Sequence, residues 1–191
     1  MIVRIKLILL ISLIGLCYSI KPVNAKSNVN NLYLDKLSVE DGLSQGTISS
    51  ILADKNGFIW LATDSGLNIY DGYSVRQLPG PNNSFINASI YSVKQDSLGF
   101  VWINVSEGLY RYQPKTNQYQ LILTNNPENL GHFVVAVTEG KNSKNKLGNW
   151  LATSKTISFY DSDTAELQMK VDLSQELPVK ENILQVTYHQ Q

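Results

Sequence analysis

Trp60 and Trp102 stand 42 residues apart, and so do Gly57 and Gly99, Gly66 and Gly108, and Ile48 and Ile90. Four pairs sharing one offset mark an internal repeat. That constrains the fold more than any single motif, because a unit repeated at this period buries its apolar face against copies of itself. The first copy reads DKNGFIWLATDSGLNIYDG from Asp54 to Gly72, and the second reads DSLGFVWINVSEGLYRY from Asp96 to Tyr112. A third runs through VVAVTEG from Val134 and NWLATSKTISFYD from Asn149, with Trp150 displaced 48 residues from Trp102. Its extra length falls in the polar run KNSKNK, where a longer loop costs little. A fourth copy begins at ILQVTYH from Ile183.

Within a unit the pattern is that of strands. FIWLAT puts Phe58, Trp60 and Ala62 on one face and Ile59 and Leu61 on the other, and GLNIYD alternates Leu67 and Ile69 with Asn68 and Tyr70. Turn residues separate these runs: Asp54-Lys55-Asn56-Gly57, then Asp64-Ser65-Gly66, then Asp71-Gly72, which reads as a two-residue hairpin. Strands this close are antiparallel neighbours. Four of them repeated at about 42 residues match the blade of a β-propeller. The glycines would make the turns, while Phe58 with Trp60, and Phe100 with Trp102, would fill the gap between sheets. The sequence therefore predicts an all-β chain with an incomplete propeller over 48–191, its blades near 48–80, 90–123 and 134–172, and the next one starting at 183. A strand and linker over 26–47 precede it. In the third copy Thr156 stands where Gly66 and Gly108 stood, so its central hairpin is expected to turn differently.

The stretch EDGLSQGTISSILADKNGFIWLATDSGLNIYDG resembles the repeat of the two component regulator propeller family. It carries that family's leading D-G-L-S, with Gly42 and Leu43, and then Gly57, Phe58, Trp60, Gly66 and Leu67. The second copy keeps Gly99, Phe100, Trp102, Gly108 and Leu109, and the third keeps Trp150. The resemblance implies the exported sensory half of a longer chain. In such chains propellers and a small β-sandwich precede a membrane helix, with a histidine kinase or a diguanylate cyclase on the cytoplasmic side. None of that output machinery is present here, and a ring needs about four blades or more to close. The expectation is thus a sensor piece truncated before its output domain, with LYLDKLSVEDGLS serving as outer strand of a last blade. Its partners would be the remaining blades, the membrane and output domains, a small-molecule or oligosaccharide ligand, and a second copy in the full receptor.

The N-terminus reads as an export signal. Arg4 and Lys6 precede an apolar run from Leu7 to Ile20, and Val23-Asn24-Ala25 places small residues where a signal peptidase reads them. Roughly fourteen apolar residues are short for a membrane span, which takes about 20. A lipid-modified Cys17 would want a small residue before it and has Leu16. The sequence thus predicts a signal peptide over residues 1–25 and a periplasmic chain, and the family resemblance implies a parent anchored in the inner membrane. Three of the 16 basic residues, Arg4, Lys6 and Lys21, fall in that signal, which leaves 13 basic against 16 acidic residues. Without a clustered positive face, nucleic acid is not an expected partner. The single cysteine also lies in the signal, so disulfides do not staple the rest.

Chemistry is sparse. His132 and His189 have no carboxylate at metal-ligand spacing, and no glycine-framed serine suggests a nucleophile. DKNG at Asp54 looks like the start of a calcium loop but lacks the closing glutamate, so a turn held by its own side chains explains it better. The N-x-S triplets at Asn82, Asn87 and Asn104 are read as loop and strand residues. No catalytic, cofactor or metal residue is assigned. Two other readings stand beside the sensor: a periplasmic propeller enzyme such as a lyase, and a non-catalytic interaction or adhesion module. Ligand contacts are expected from turns at one end of the blades, where Asp64 and Ser65 are matched by Ser106 and Glu107. Tyr70, Tyr110, Tyr112 and Tyr160 are expected between blades with their hydroxyls in water. Cleavage after Ala25 predicts an exported protein whose N-terminal residue, read by intact mass and Edman sequencing, is Lys26; an N-terminus that retains residues 1–25 contradicts this.

Overall fold

The computed structural model describes residues 36–125, 134–153 and 156–172. The expected signal, the strand from Ile183 and both histidines lie outside the described residues. All the elements described belong to one compact unit, Leu37–Gln191. Three four-stranded sheets follow one another along the chain. The first holds β1 (Ile48–Ala53), β2 (Ile59–Thr63), β3 (Gly66–Tyr70) and β4 (Val75–Leu78). The second holds β5 (Ile90–Gln95), β6 (Val101–Val105), β7 (Gly108–Gln113) and β8 (Gln118–Thr124). The third holds β9 (Val134–Lys141), β10 (Leu147–Thr153), β11 (Thr156–Asp161) and β12 (Glu166–Asp172). Each is an antiparallel meander in chain order, the propeller-type blade that the repeat predicts.

What the motif D-x-x-G-x-x-W builds is a turn joined to a buried indole. One carboxylate oxygen of Asp54 accepts the amides of Asn56 and Phe58 at 2.9 and 3.0 Å, and the other accepts the Trp60 indole N–H at 3.0 Å. Asp96 does the same, taking the Phe100 amide and the Trp102 indole at 2.9 Å each. Both carboxylates are buried, and Gly57 and Gly99 complete the turns at φ +89° and +87°, a region L side chains rarely adopt. The spacing is thereby explained: the acid closes the turn behind it and fixes the tryptophan six residues ahead.

Each tryptophan, once fixed, meets the next sheet edge-on. The Trp60 ring lies 5.9 Å from that of Tyr112, and Trp102 lies 5.2 Å from Tyr160, both T-shaped. Around the first pair Ile69, Leu67, Val93, Val101 and Tyr110 form one buried cluster, and around the second Leu109, Val137 and Leu151 form another. A polar clasp accompanies the apolar contact. The Lys55 amide donates to Gln95 Oε1 at 2.9 Å, and one repeat later the Ser97 amide donates to Glu139 Oε1 at 3.0 Å. The turns of the first two sheets are thus each gripped by the first strand of the next. Between the first two sheets the connector supplies Phe85 as a plug, fully buried and edge-on to Tyr110 and Tyr119. Asn82 and Asn87 adopt positive φ in that connector, while Asn104 is buried on β6.

The third sheet departs in an informative way. Its first hairpin has two additional rungs, Gly140↔Gly148 and Lys141↔Leu147, so four of the six extra residues fall in this hairpin and the other two lie before Thr138. Asn142 forms the equivalent turn, accepting the Lys144 and Lys146 amides at 2.9 and 3.1 Å, with Asn145 at φ +60° in the glycine's place. The turn has moved away from Trp150, whose indole reaches only the Lys141 carbonyl at 3.4 Å. β10 and β11 close over the same two-residue gap as the other copies. Thr156 there bonds the Thr153 hydroxyl at 2.8 Å, and residues 154 and 155 between them lie outside the described residues.

Two local expectations are corrected. Phe58 is 37% exposed at the rim instead of filling the gap, because the Trp–Tyr contact already fills it; Phe100 lies under the Arg111 side chain. Asp71-Gly72 is not a two-residue hairpin, since β3 and β4 are joined by four residues and the Asp71 carboxylate accepts the Tyr73 and Ser74 amides. Of the strand and linker expected over 26–47, residues 26–35 lie outside the described residues, and 36–47 are the linker part. They make a 3₁₀ turn, Val39–Asp41, capped by Ser38 and ended by Gly42, after which Leu43 is buried and Ser44 bonds Asn68 and Thr63 of the first sheet. Replacing Asp96 by Ala strands two donors at once, and we expect a loss of about 2–4 kcal/mol, measured by urea unfolding with an unchanged m value. Asn142→Ala, in an exposed turn, is expected to cost less than about 1 kcal/mol.

Candidate functional site

The β2–β3 and β6–β7 turns lie on neighbouring sheets and carry the four residues expected to meet a ligand. Asp64 and Glu107 are exposed, and Ser65 and Ser106 half-buried. Their backbones are fixed from several sides. Ser89 links the two turns, its hydroxyl donating to the Asp64 carbonyl at 3.4 Å and its carbonyl accepting the Ser106 amide at 2.9 Å. Gln77 donates to the Ser65 carbonyl at 3.1 Å, and Asn125 donates from its side chain to the carbonyls of Val105 and Ser106, both at 3.1 Å. Gly66 and Gly108 are needed for proximity. A Cβ at Gly108 would sit 2.2 Å from the Leu123 carbonyl oxygen, and one at Gly66 2.2 Å from the Gln77 amide nitrogen. Two carboxylates on rigid turns, tied through one serine, form a polar edge able to accept hydrogen bonds from hydroxyl or amide groups.

At the other end of the strands lie the turns of the Asp–Trp locks. A cleft of about 200 Å³ there is lined by Lys55, Gln95, Ser97 and Lys115 among others. Another, of about 540 Å³, opens on the outer half of the second sheet beside Arg111, Gln113, Gln118 and Tyr119. None of Asp64, Ser65, Ser106 and Glu107 lines either cleft. Burial pushes the Tyr112 and Tyr119 phenols up, so they act as neutral groups. The Ser74 and Tyr73 amides hold the Asp71 carboxyl below its usual range. Among the described residues no cluster of three metal-ligating side chains occurs, and the Asp54 carboxylate that opens the calcium-like DKNG is engaged by Asn56, Phe58 and Trp60.

The tyrosines are only partly where the sequence put them. Tyr110, Tyr112 and Tyr160 are buried between sheets, but their environment is not wet throughout: the Tyr112 hydroxyl donates to Asn117 at 2.9 Å and that of Tyr160 to Gln120 at 3.0 Å. Sequence reasoning missed Arg111. The signal was present, because the 42-residue offset pairs it with Ile69, a cation standing at an apolar position.

Comparison with known proteins agrees with this architecture. Residues 42–65 match the model of the two component regulator propeller family, where the resemblance was read from D-G-L-S and D-x-x-G-x-x-W. A stretch of 59 residues is 32% identical to histidine kinase P4 of Formosa agariphila, covering 31% of this chain and 4% of the kinase. Among solved structures, the extracellular domain of a hybrid two component system from B. thetaiotaomicron is similar over 77% of this chain and 21% of its own, with 26% identity and a TM-score of 0.59. The extracellular domain of a one component system from the same organism shares the fold, with 22% identity over 71% of this chain, 18% of its own, and a TM-score of 0.54. The chain thus spans about a fifth or less of these relatives. Asn125→Ala would leave two buried carbonyls without their donor, and we expect it to cost about 1–3 kcal/mol and to speed amide hydrogen exchange at Ser106 and Glu107 above that of the β2–β3 turn.

Proposed function

Taking the two component regulator propeller repeat of residues 42–65 as premise, we propose that this chain is the ligand-sensing propeller region of an exported, transmembrane signal-transduction protein. The observation that carries the reading is that match, in a chain whose sheets resemble the extracellular domain of a hybrid two component system. The blades do no chemistry themselves. The ligand, a small molecule or an oligosaccharide, is held at the turn end by Asp64, Ser65, Ser106 and Glu107. The region stands in the periplasm. The parent is anchored in the inner membrane, completes its ring with further blades, pairs with a second copy, and ends in a histidine kinase or a diguanylate cyclase.

The mechanism follows from how the blades are joined. A ligand shifts a receptor between two states only by its difference in affinity for them. A ligand bridging the β2–β3 and β6–β7 turns senses the angle between adjacent sheets, because Ser89 and the Trp60–Tyr112 contact couple that angle to the packing below. Binding therefore biases blade packing, and the bias is what the membrane segment transmits. The test is a thermal-shift and calorimetric screen of an oligosaccharide panel against the chain and its Asp64→Ala/Glu107→Ala variant, with product analysis of each mixture. We expect one saccharide class to bind without being consumed, roughly tenfold or more weaker in the variant, and to change autophosphorylation or cyclase output of the parent. Turnover of the saccharide, or equal binding by the variant, contradicts the proposal.

A further inference from the structure

Arg111 stands in a position that does not call for a cation. It is the cross-strand partner of Trp102, as Ile69 is of Trp60 and Phe159 is of Trp150. The sister sheets fill this place with an aliphatic or aromatic side chain, so packing alone is served without charge. Arg111 is nevertheless 5% exposed. Its guanidinium carbon lies 3.3 Å from the centroid of Phe100, 5.1 Å from Tyr160 and 5.7 Å from Trp102. The ring faces balance part of the charge, but they leave the in-plane N–H groups unanswered. Nη1 donates to the Tyr160 hydroxyl at 3.2 Å, whereas Nε and Nη2 are buried and have no acceptor among the described residues. The only ion pair among the described residues, Lys146–Asp161, does not include it. A buried cation with two orphaned nitrogens is costly, and such a cost is expected where function requires it.

The same side chain lines the open cleft of about 540 Å³ on the outer half of the second sheet. We propose that this cleft binds a small carboxylate and that Arg111 is the residue that takes it. Nε–H and Nη2–H lie on one edge of the planar guanidinium and match the two oxygens of a carboxylate, the pairing for which arginine is suited and lysine is not. The rest of the cleft fits such a ligand. Phe100 and Tyr119 offer apolar surface, and Gln113, Gln118 and Gln120 offer carboxamides for further oxygens. Gln120 is tied by its Oε1 to the Tyr160 hydroxyl at 3.0 Å, whereas Gln118 is exposed and is the part of the wall free to move as a ligand enters. The cleft is separate from the turn residues assigned above, and the inference does not depend on them.

The experiment titrates the chain with D-glucuronate as the carboxylate probe and D-glucose as its neutral control, by calorimetry and by the shift in melting temperature. Saturable glucuronate binding with none for glucose is expected. Arg111→Ile, which restores the residue of the first sheet, should weaken glucuronate roughly tenfold or more while melting at the same temperature as the parent chain or higher. Absence of glucuronate binding, equal binding by Arg111→Ile, or a lowered melting temperature of that variant with binding retained overturns the proposal. If Arg111→Ile does not fold, Arg111→Lys carries the test, because it keeps the charge and loses the fork. Unchanged glucuronate binding by that variant overturns the proposal, and weakened binding supports it.

Discussion

In two of the three sheets a buried carboxylate holds a turn with one oxygen and an indole with the other, and most of the fold follows from that double engagement. The turn sets where β2 or β6 begins, and the indole sets which way its tryptophan points. From there the ring reaches a tyrosine of the following sheet, while the turn's own amide reaches Gln95 or Glu139 of the same neighbour. Local and long-range order thus share one acceptor. A hydrogen bond of this kind contributes modestly by itself, but its loss frees a large aromatic side chain whose packing carries far more.

The third sheet shows what happens when the link is stretched. Two added rungs carry the Asn142 turn away from Trp150, and the indole N–H settles for a long contact with a backbone carbonyl. The hairpin survives because its ladder is longer, and Phe159 packs against Trp150 within the same sheet. The lock therefore needs a carboxylate at the six-residue spacing, since Asn142 lies eight residues before Trp150 and its one acceptor oxygen is used by the turn.

The blade architecture was legible because repetition multiplies a weak signal. One D-x-x-G-x-x-W is a turn with an aromatic after it; two at a fixed offset define a stacking unit. What stayed hidden depends on partners distant in sequence. Phe58 and Trp60 share a face and look alike in the sequence, yet only Trp60 has Tyr112 opposite it. Asp71-Gly72 suggested a short hairpin, but the Asp71 side chain accepts amides further on and lengthens the loop. D-G-L-S ends a 3₁₀ turn and carries a docked serine, whose partners Asn68 and Thr63 come from another part of the chain. At the candidate site, the turns of Asp64 and Glu107 could be placed by counting, whereas Ser89 and Asn125, which fix them, could not. Arg111 was readable only by comparing copies, since the residue is ordinary in composition and anomalous in register.

A blade that is rigid at its turns and joined to its neighbour by an aromatic contact, a polar clasp and a shared apolar cluster is suited to relay a change of angle, and the dependence of that relay on the carboxylate–indole link can be measured alone. A double-mutant cycle combining Asp96→Ala with Trp102→Phe, which keeps an aromatic ring but removes the N–H together with the indole's second ring, isolates the coupling because the packing loss is common to both arms. The account predicts a favourable coupling energy of about 1–2 kcal/mol from urea unfolding. A value within error of zero would mean that turn and tryptophan are positioned independently, and would contradict it.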